Sequence, residues 1–152
     1  MKRIVAIEQY CIGCRLCEIH CQVQHSGSQK MIQAFREEQD IMHSRVHVEE
    51  SERVSFALQC RHCSEASCME ACMSGALYRD HTTGAVLCDE ERCVGCWMCI
   101  MVCPVGAVRQ GKDRKVASKC DLCLDAAFPV CVANCPNEAI ILQICEKHEM
   151  QT

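Results

Sequence analysis

Sixteen of the 18 cysteines in this 152-residue chain fall into four runs whose spacing keeps register. The first run is Cys11, Cys14, Cys17 and Cys21; the second is Cys60, Cys63, Cys68 and Cys72. The third is Cys93, Cys96, Cys99 and Cys103, followed by Pro104; the fourth is Cys120, Cys123, Cys131 and Cys135, followed by Pro136. Cys88 and Cys145 stand outside the pattern. Thiols at this density serve three chemistries: disulfide crosslinks, structural zinc and iron–sulfur clusters.

Disulfides need an oxidising compartment. The only apolar run near the N-terminus is Ile4 to Ile7, too short for the apolar segment of an export signal, and no run approaches the 18 residues of a membrane span. The expectation is therefore a cytoplasmic chain, where clustered cysteines more often bind metal. Zinc sites tend to use two separated C-x2-C knuckles and leave no role for the third and fourth cysteines of runs one and three. Those runs instead have the bacterial ferredoxin spacing C-x2-C-x2-C-x3-C. In that pattern three thiolates wrap one cubane and the fourth ligates another. With four thiolates to a cluster, sixteen cysteines complete four [4Fe–4S] clusters, and Cys88 and Cys145 are not ligands.

The formal charge of −4 counts every cysteine as neutral. With about −2 at each oxidised cluster site, the loaded protein carries roughly −12. That disfavours nucleic acid and favours basic partner surfaces, with Lys112, Arg114, Lys115 and Lys119 offsetting part of it.

The elements that position these thiols follow from the stretches between them. Only six residues are aromatic, so the side-chain core is thin and the metal acts as the staple. Four residues after the last cysteine of runs two, three and four stands an alanine (Ala76, Ala107, Ala139), followed by Leu77, Val108 and Ile140. A small residue and then an apolar one suggests a close approach leading into a core-facing strand. ALYRDHTTGAVL and AVRQGKDRKVAS, which follow runs two and three, have the apolar–turn–apolar form of hairpins; so has RVHVEESERVSFAL, with Glu49–Glu52 at its tip. KMIQAFREEQDIM predicts a short amphipathic helix presenting Ile32, Phe35 and Met42. The class is α+β: cluster loops, each leading into a short helix, joined by β-hairpins.

The segments CIGCRLCEIHC, LQCRHCSEASCMEAC, CVGCWMCIMVCP and KCDLCLDAAFPVCVANCP cover nearly the whole chain. Together they resemble the four-cluster, ferredoxin-like electron-transfer subunits of redox complexes. Such subunits accompany carbon monoxide dehydrogenase, formate dehydrogenase, hydrogenase, aldehyde oxidoreductase or dimethyl sulfoxide reductase-type enzymes, and the lean loops look most like the carbon monoxide dehydrogenase-associated kind. The resemblance implies two ferredoxin-like modules related by a pseudo-two-fold: residues 1–50 with 110–152, and residues 51–109. It also implies which runs share clusters, which spacing alone leaves open. Cluster 1 takes Cys11, Cys14, Cys17 and Cys135; cluster 2 takes Cys120, Cys123, Cys131 and Cys21. Cluster 3 takes Cys60, Cys63, Cys68 and Cys103; cluster 4 takes Cys93, Cys96, Cys99 and Cys72. In some relatives a Trp replaces a ligand in the third run and leaves a three-iron cluster; here Trp97 stands beside Cys96 and every ligand is present. Gln22 and Met73 replace the Pro after runs one and two, which suggests looser exits, and a C-terminal membrane helix like that of some relatives is not expected.

No Ser–His–Asp set, phosphate loop or nucleotide fingerprint is present, so the chain reads as non-catalytic. The expected role is a relay of single electrons between a catalytic oxidoreductase subunit and a second redox protein. The alternatives are a free-standing polyferredoxin and an iron–sulfur scaffold in an oligomeric or filamentous assembly. The 38 residues between Cys21 and Cys60 exceed what cluster wrapping requires, so they and the tail EKHEMQT suggest docking surfaces. Gly13 and Gly95 supply either left-handed torsions or close N–H approach to sulfur. His20 and His62 read as surface or supporting residues because the cysteine sets are complete. Cys88 and Cys145 read as small buried apolar residues, and Trp97 as packing over a cluster or a partner.

Overall fold

Alternation of period two builds the strands. Val46 and Val48 are buried while His47 and Glu49 point away, and Ala57 and Gln59 are buried opposite them. The computed structural model describes residues 2–38, 43–111 and 115–144. In chain order it runs β1 (Lys2–Ala6), a 3-10 turn (Glu8–Tyr10), α1 (Leu16–Gln24), α2 (Met31–Glu37), β2 (Val46–Ser51) and β3 (Val54–Gln59). Then come α3 (Ser67–Glu70), β4 (Leu77–Arg79), β5 (Val86–Cys88), α4 (Met98–Met101), β6 (Arg109–Gln110), β7 (Ala117–Ser118), α5 (Val130–Ala133) and β8 (Ile140–Ile144). The class is α+β, with short helices and two-stranded antiparallel ladders.

Three of the ladders are the hairpins expected from sequence: β2–β3, β4–β5 and β6–β7. The tip of β2–β3 is displaced from the expected position. Glu49, Glu50 and Ser51 belong to β2, and the turn falls at Glu52, which takes a left-handed φ of 50°. The fourth ladder joins the two ends of the chain, with Lys2 opposite Ile144 and Ala6 opposite Ile140, and Ile7 N–H extends it to the Ala139 carbonyl at 2.7 Å. Helix α1 packs on α5, and α3 on α4.

The buried set confirms a thin side-chain core. It consists mainly of cysteines and of alanines such as Ala34, Ala57, Ala76, Ala85, Ala107 and Ala139, and its largest fully buried members include Ile4, Ile140, Val46, Val86 and Val108. Leu77 and Ile140 open their strands facing inward, and Val108 is buried just before β6, as the Ala–aliphatic repeat predicted.

Helix α2 corrects the sequence reading. Ala34 is its buried residue at 0 % exposure, whereas Ile32 is 83 % exposed and Phe35 is also exposed. The exit of run one is not loose: Gln22 lies inside α1, which continues to Gln24, so a proline there would break the helix. Met42, Lys112, Arg114, Cys145 and the 146–152 tail lie outside the described residues.

Candidate metal centres

Runs one and three, identical in spacing, fold alike. Gly13 and Gly95 take φ of +67° and +68°, and the residues after the second cysteine, Arg15 and Trp97, are left-handed at 58° and 64°. These torsions turn the loop inward and start α1 and α4, on which Cys17 and Cys99 are buried. Glycine's torsional freedom is therefore what both loops use. At Gly95 the absence of a Cβ also makes room for the Lys115 carbonyl oxygen. Cys21 lies one turn beyond Cys17 on the same face of α1, also buried.

Each of three cavities gathers cysteines from two runs. Cys11, Cys14 and Cys17 line one with Cys135. Cys60, Cys63 and Cys68 line another with Cys103. Cys93, Cys96 and Cys99 line a third with Cys72. The remaining four, Cys21, Cys120, Cys123 and Cys131, are all buried, and charge on any of the first three raises the Cys131 thiol.

Neighbouring groups are also within electrostatic reach of one another: Cys131 of Cys17, Cys120 of Cys60, and Cys99 of Cys68. The order is thus the Cys135 group, the Cys21 group, the Cys103 group and the Cys72 group. Cys14 and Cys96, in the two end groups, are exposed.

Backbone N–H groups point at the sulfurs. Ala139 N–H donates to Cys135 Sγ at 3.2 Å, Ala107 N–H to Cys103 Sγ at 3.4 Å and Leu77 N–H to Cys72 Sγ at 3.4 Å. In runs three and four the donor is the alanine of the repeat itself, and in run two it is Leu77, the residue after Ala76. Ala117, Leu122, Arg45 and His62 donate in the same way to Cys93, Cys120, Cys21 and Cys60, at 3.3–3.5 Å.

Burial pushes the Cys17 thiol up to about 12, with further raising by the charges of Glu18, Cys14 and Cys11. Burial likewise pushes Cys99 and Cys123 up to about 11, and Cys120 and Cys131 higher still. Four packed thiols cannot all ionise against burial and mutual repulsion unless a positively charged core lies among them. Soft thiolate sets around voids, with N–H groups already aimed at sulfur, fit [4Fe–4S] clusters.

The sequence reading missed a polar network beside Cys21. Asp121 accepts from Arg45 Nη1 at 2.5 Å and lies 3.2 Å from His25 Nε2, while His25 Nδ1 is 2.8 Å from the Cys21 carbonyl and 3.7 Å from its Sγ. Burial pushes His25 down, but Asp121 and Cys21 outweigh it and hold the imidazole up at about 9. Burial pushes Asp121 up and Cys21 up; the His25 contacts and Arg45 outweigh it and leave both below their ordinary values. His25 and Asp121 are 96 residues apart, and neither stands in a recognisable motif.

His62 is fully buried. Its Nδ1 accepts from Val86 N–H at 3.0 Å, and burial followed by the Lys119 charge lowers it to about 3, so the ring is neutral. His20 and Trp97 are half-buried, and Trp97 lines the Cys72 cavity. Cys88 is also half-buried rather than sealed in the core; it lines that cavity as a fifth thiol, and burial, then the Cys93 charge, pushes it up to about 12. No helix among the described residues is long and apolar enough to cross a membrane.

Known proteins carry the same pattern. Residues 52–145 match the family model described as a 4Fe-4S dicluster domain. The chain is 39 % identical over 153 residues to an iron-sulfur protein of Rhodospirillum rubrum, covering 90 % of this chain and 79 % of that one. It is 36 % identical over 154 residues to the electron transport protein HydN of Escherichia coli, covering 91 % and 85 %. It is 32 % identical over 152 residues to the thiosulfate reductase electron transfer subunit PhsB of Salmonella typhi, covering 95 % and 76 %. A chain of the BamBC complex of benzoyl coenzyme A reductase superposes with a TM-score of 0.49 at 21 % identity over 98 % of this chain and 83 % of that one, a likeness too loose to define the fold. The chain therefore belongs to the 4Fe-4S dicluster domain family, and it is an iron–sulfur electron-transfer protein rather than an enzyme.

Proposed function

We propose that this chain is the relay subunit of an oxidoreductase complex and carries four [4Fe–4S] clusters in a row. Cluster 1 is held by Cys11, Cys14, Cys17 and Cys135, and cluster 2 by Cys120, Cys123, Cys131 and Cys21. Cluster 3 is held by Cys60, Cys63, Cys68 and Cys103, and cluster 4 by Cys93, Cys96, Cys99 and Cys72. Cys88 and Cys145 are not ligands. The observation that carries this reading is the convergence of cysteines from two runs on a common void, three times over. Runs one and four then form one ferredoxin-like module (residues 1–50 with 110–152) and runs two and three the other (51–109), related by a pseudo-two-fold. The β1–β8 ladder and the α1–α5 and α3–α4 contacts support that division.

The clusters supply one-electron chemistry at potentials set by their surroundings. The chain's own groups fix those surroundings: N–H donors soften the charge on the sulfurs, and burial of the Cys21 group excludes water. The exposed cysteines Cys14 and Cys96 mark the two ends at which partners meet the relay. Ile12 beside Cys14 and Val94 beside Cys96 are exposed apolar residues suited to such contacts. One end faces a catalytic subunit and the other a second redox protein in the cytoplasm. PhsB, named as a thiosulfate reductase electron transfer subunit, supports that class of catalytic partner, and HydN, named as an electron transport protein, supports the relay role.

Iron analysis of anaerobically purified protein tests the count, with about 16 iron atoms per chain expected from four complete clusters. Cys21→Ala and Cys135→Ala test the pairing. The first should damage the cluster of run four, and the second that of run one. The opposite assignment, or a content near eight, would refute the proposal. Native mass spectrometry of the complex identifies the partner.

A further inference from the structure

Lys119 is buried at 3 % exposure, yet its ammonium meets only neutral acceptors: the Val86 carbonyl and the Cys120 carbonyl, the latter at 2.9 Å. Among the described residues no carboxylate forms an ion pair with it, whereas Arg15, Arg45 and Arg109 each have one. A buried cation without a counter-charge is strongly disfavoured. Its neighbours locate the missing anion. Cys120 belongs to the Cys21 group, and Val86 lines the cavity of the Cys103 group. Cys88, two residues past Val86 on β5, lines the cavity of the Cys72 group. The ammonium therefore touches the backbone where the two inner thiol groups adjoin, and the wall of the Cys135 cavity includes none of its contacts.

We infer that Lys119 is a positioning residue for electron transfer: an internal cation whose counter-charges are clusters 2 and 3, and which holds their reduction potentials above the values they would otherwise have. The inference rests on the four-cluster reading. Each electron that arrives adds negative charge beside a fixed positive one, so reduction of the inner pair is favoured and the middle of the relay accepts electrons instead of blocking them. Other cations beside the thiol groups have different surroundings. Arg79 also donates to carbonyls, those of Cys63, Ser64 and Gly84, but it is only half-buried.

The test is a potentiometric titration of the holoprotein followed by electron paramagnetic resonance, comparing wild type with Lys119→Gln. Glutamine keeps N–H donors for the two carbonyls and removes only the charge. At a fixed potential, the reduced-to-oxidised ratio of two of the clusters should fall at least tenfold, which is about 59 mV toward lower potential for a one-electron couple. The cluster assigned to Cys135 should not move. Unchanged potentials in a fully loaded variant, or an equal shift of all four, would overturn the inference. If Lys119→Gln fails to retain its clusters, Lys119→Arg decides. Recovery of iron content and of the inner potentials assigns the effect to charge, and failure to recover assigns it to shape and overturns the inference. Iron content of the wild type reads the four-cluster proposal separately.

Discussion

Gly13, Gly95 and Gly106 all take φ between +62° and +68°, so alanine at any of them meets the same torsional penalty, but the space around them differs. Nothing lies within 4 Å of a Cβ built on Gly106. At Gly13 the nearest atoms are the tips of flexible side chains, Ser55 Oγ at 3.0 Å and Glu50 Oε1 at 3.3 Å. At Gly95 the Cβ would collide with the carbonyl oxygen of Lys115, which is backbone and cannot rotate away. A left-handed alanine costs about 1–2 kcal/mol, offset by about 0.4–1 kcal/mol from a stiffer unfolded chain, so Gly106→Ala should cost about 1 kcal/mol. Gly95→Ala adds the overpacking cost of displacing the Lys115 segment, about 2 kcal/mol. Since 1.4 kcal/mol is tenfold, the two variants should differ by roughly 30-fold, with Gly13→Ala between them and nearer to Gly106→Ala. Cluster loss is irreversible, so the observable is a rate: decay of the visible absorbance of anaerobic holoprotein in excess chelator. Runs one and three have the same C-x-G-C sequence, so local sequence alone expects equal effects at Gly13 and Gly95. Equal decay of Gly95→Ala and Gly106→Ala would refute the argument from the Lys115 contact.

Removal of iron by acid or chelator should abolish most far-ultraviolet circular dichroism, because the buried set is mainly cysteine and alanine and cannot hold the fold alone; an unchanged spectrum would count against a cluster-built core. Cys88→Ala should leave the iron content near that of the wild type despite its place in the Cys72 cavity, and loss of about four iron atoms would make it a ligand. His25 is raised from 6.5 to about 9 against the opposing effect of burial, so its pairing with Asp121 and Cys21 contributes fully below pH 6.5, weakens from there to about 9 and is gone above. The contribution is about 3 kcal/mol at most. Cluster retention should accordingly fall over that window in the wild type and lose this slope in His25→Gln, and parallel pH profiles of the two proteins would exclude the mechanism.

The cysteine runs were legible because ligand spacing is a local property of the chain, and the hairpins because alternation and turn residues are local too. What the sequence could not reveal depends on distant neighbours. The apolar Ile4–Ile7 stretch carries no sign that its partner is Ile140–Ile144. In α2 the apolar residues Ile32 and Phe35 suggest the wrong inner face, because the space available beneath the helix admits only Ala34. His25 finds Asp121 from 96 residues away, and nothing about KC in SKCDLC marks Lys119 as buried rather than hydrated.

These hidden features share a location. Asp121, Arg45, His25 and Lys119 all gather about the Cys21 and Cys120 group, where the runs from the two ends of the chain meet. The end groups, with exposed Cys14 and Cys96, can relax their charge into water. The Cys21 group, buried at all four of its cysteines, cannot, so in the proposed relay each reduction there must be balanced by protein charges already in place. The proposed four-cluster relay therefore needs internal cations beside that group, and those residues come from whichever segments the fold brings past it rather than from the cysteine spacing itself.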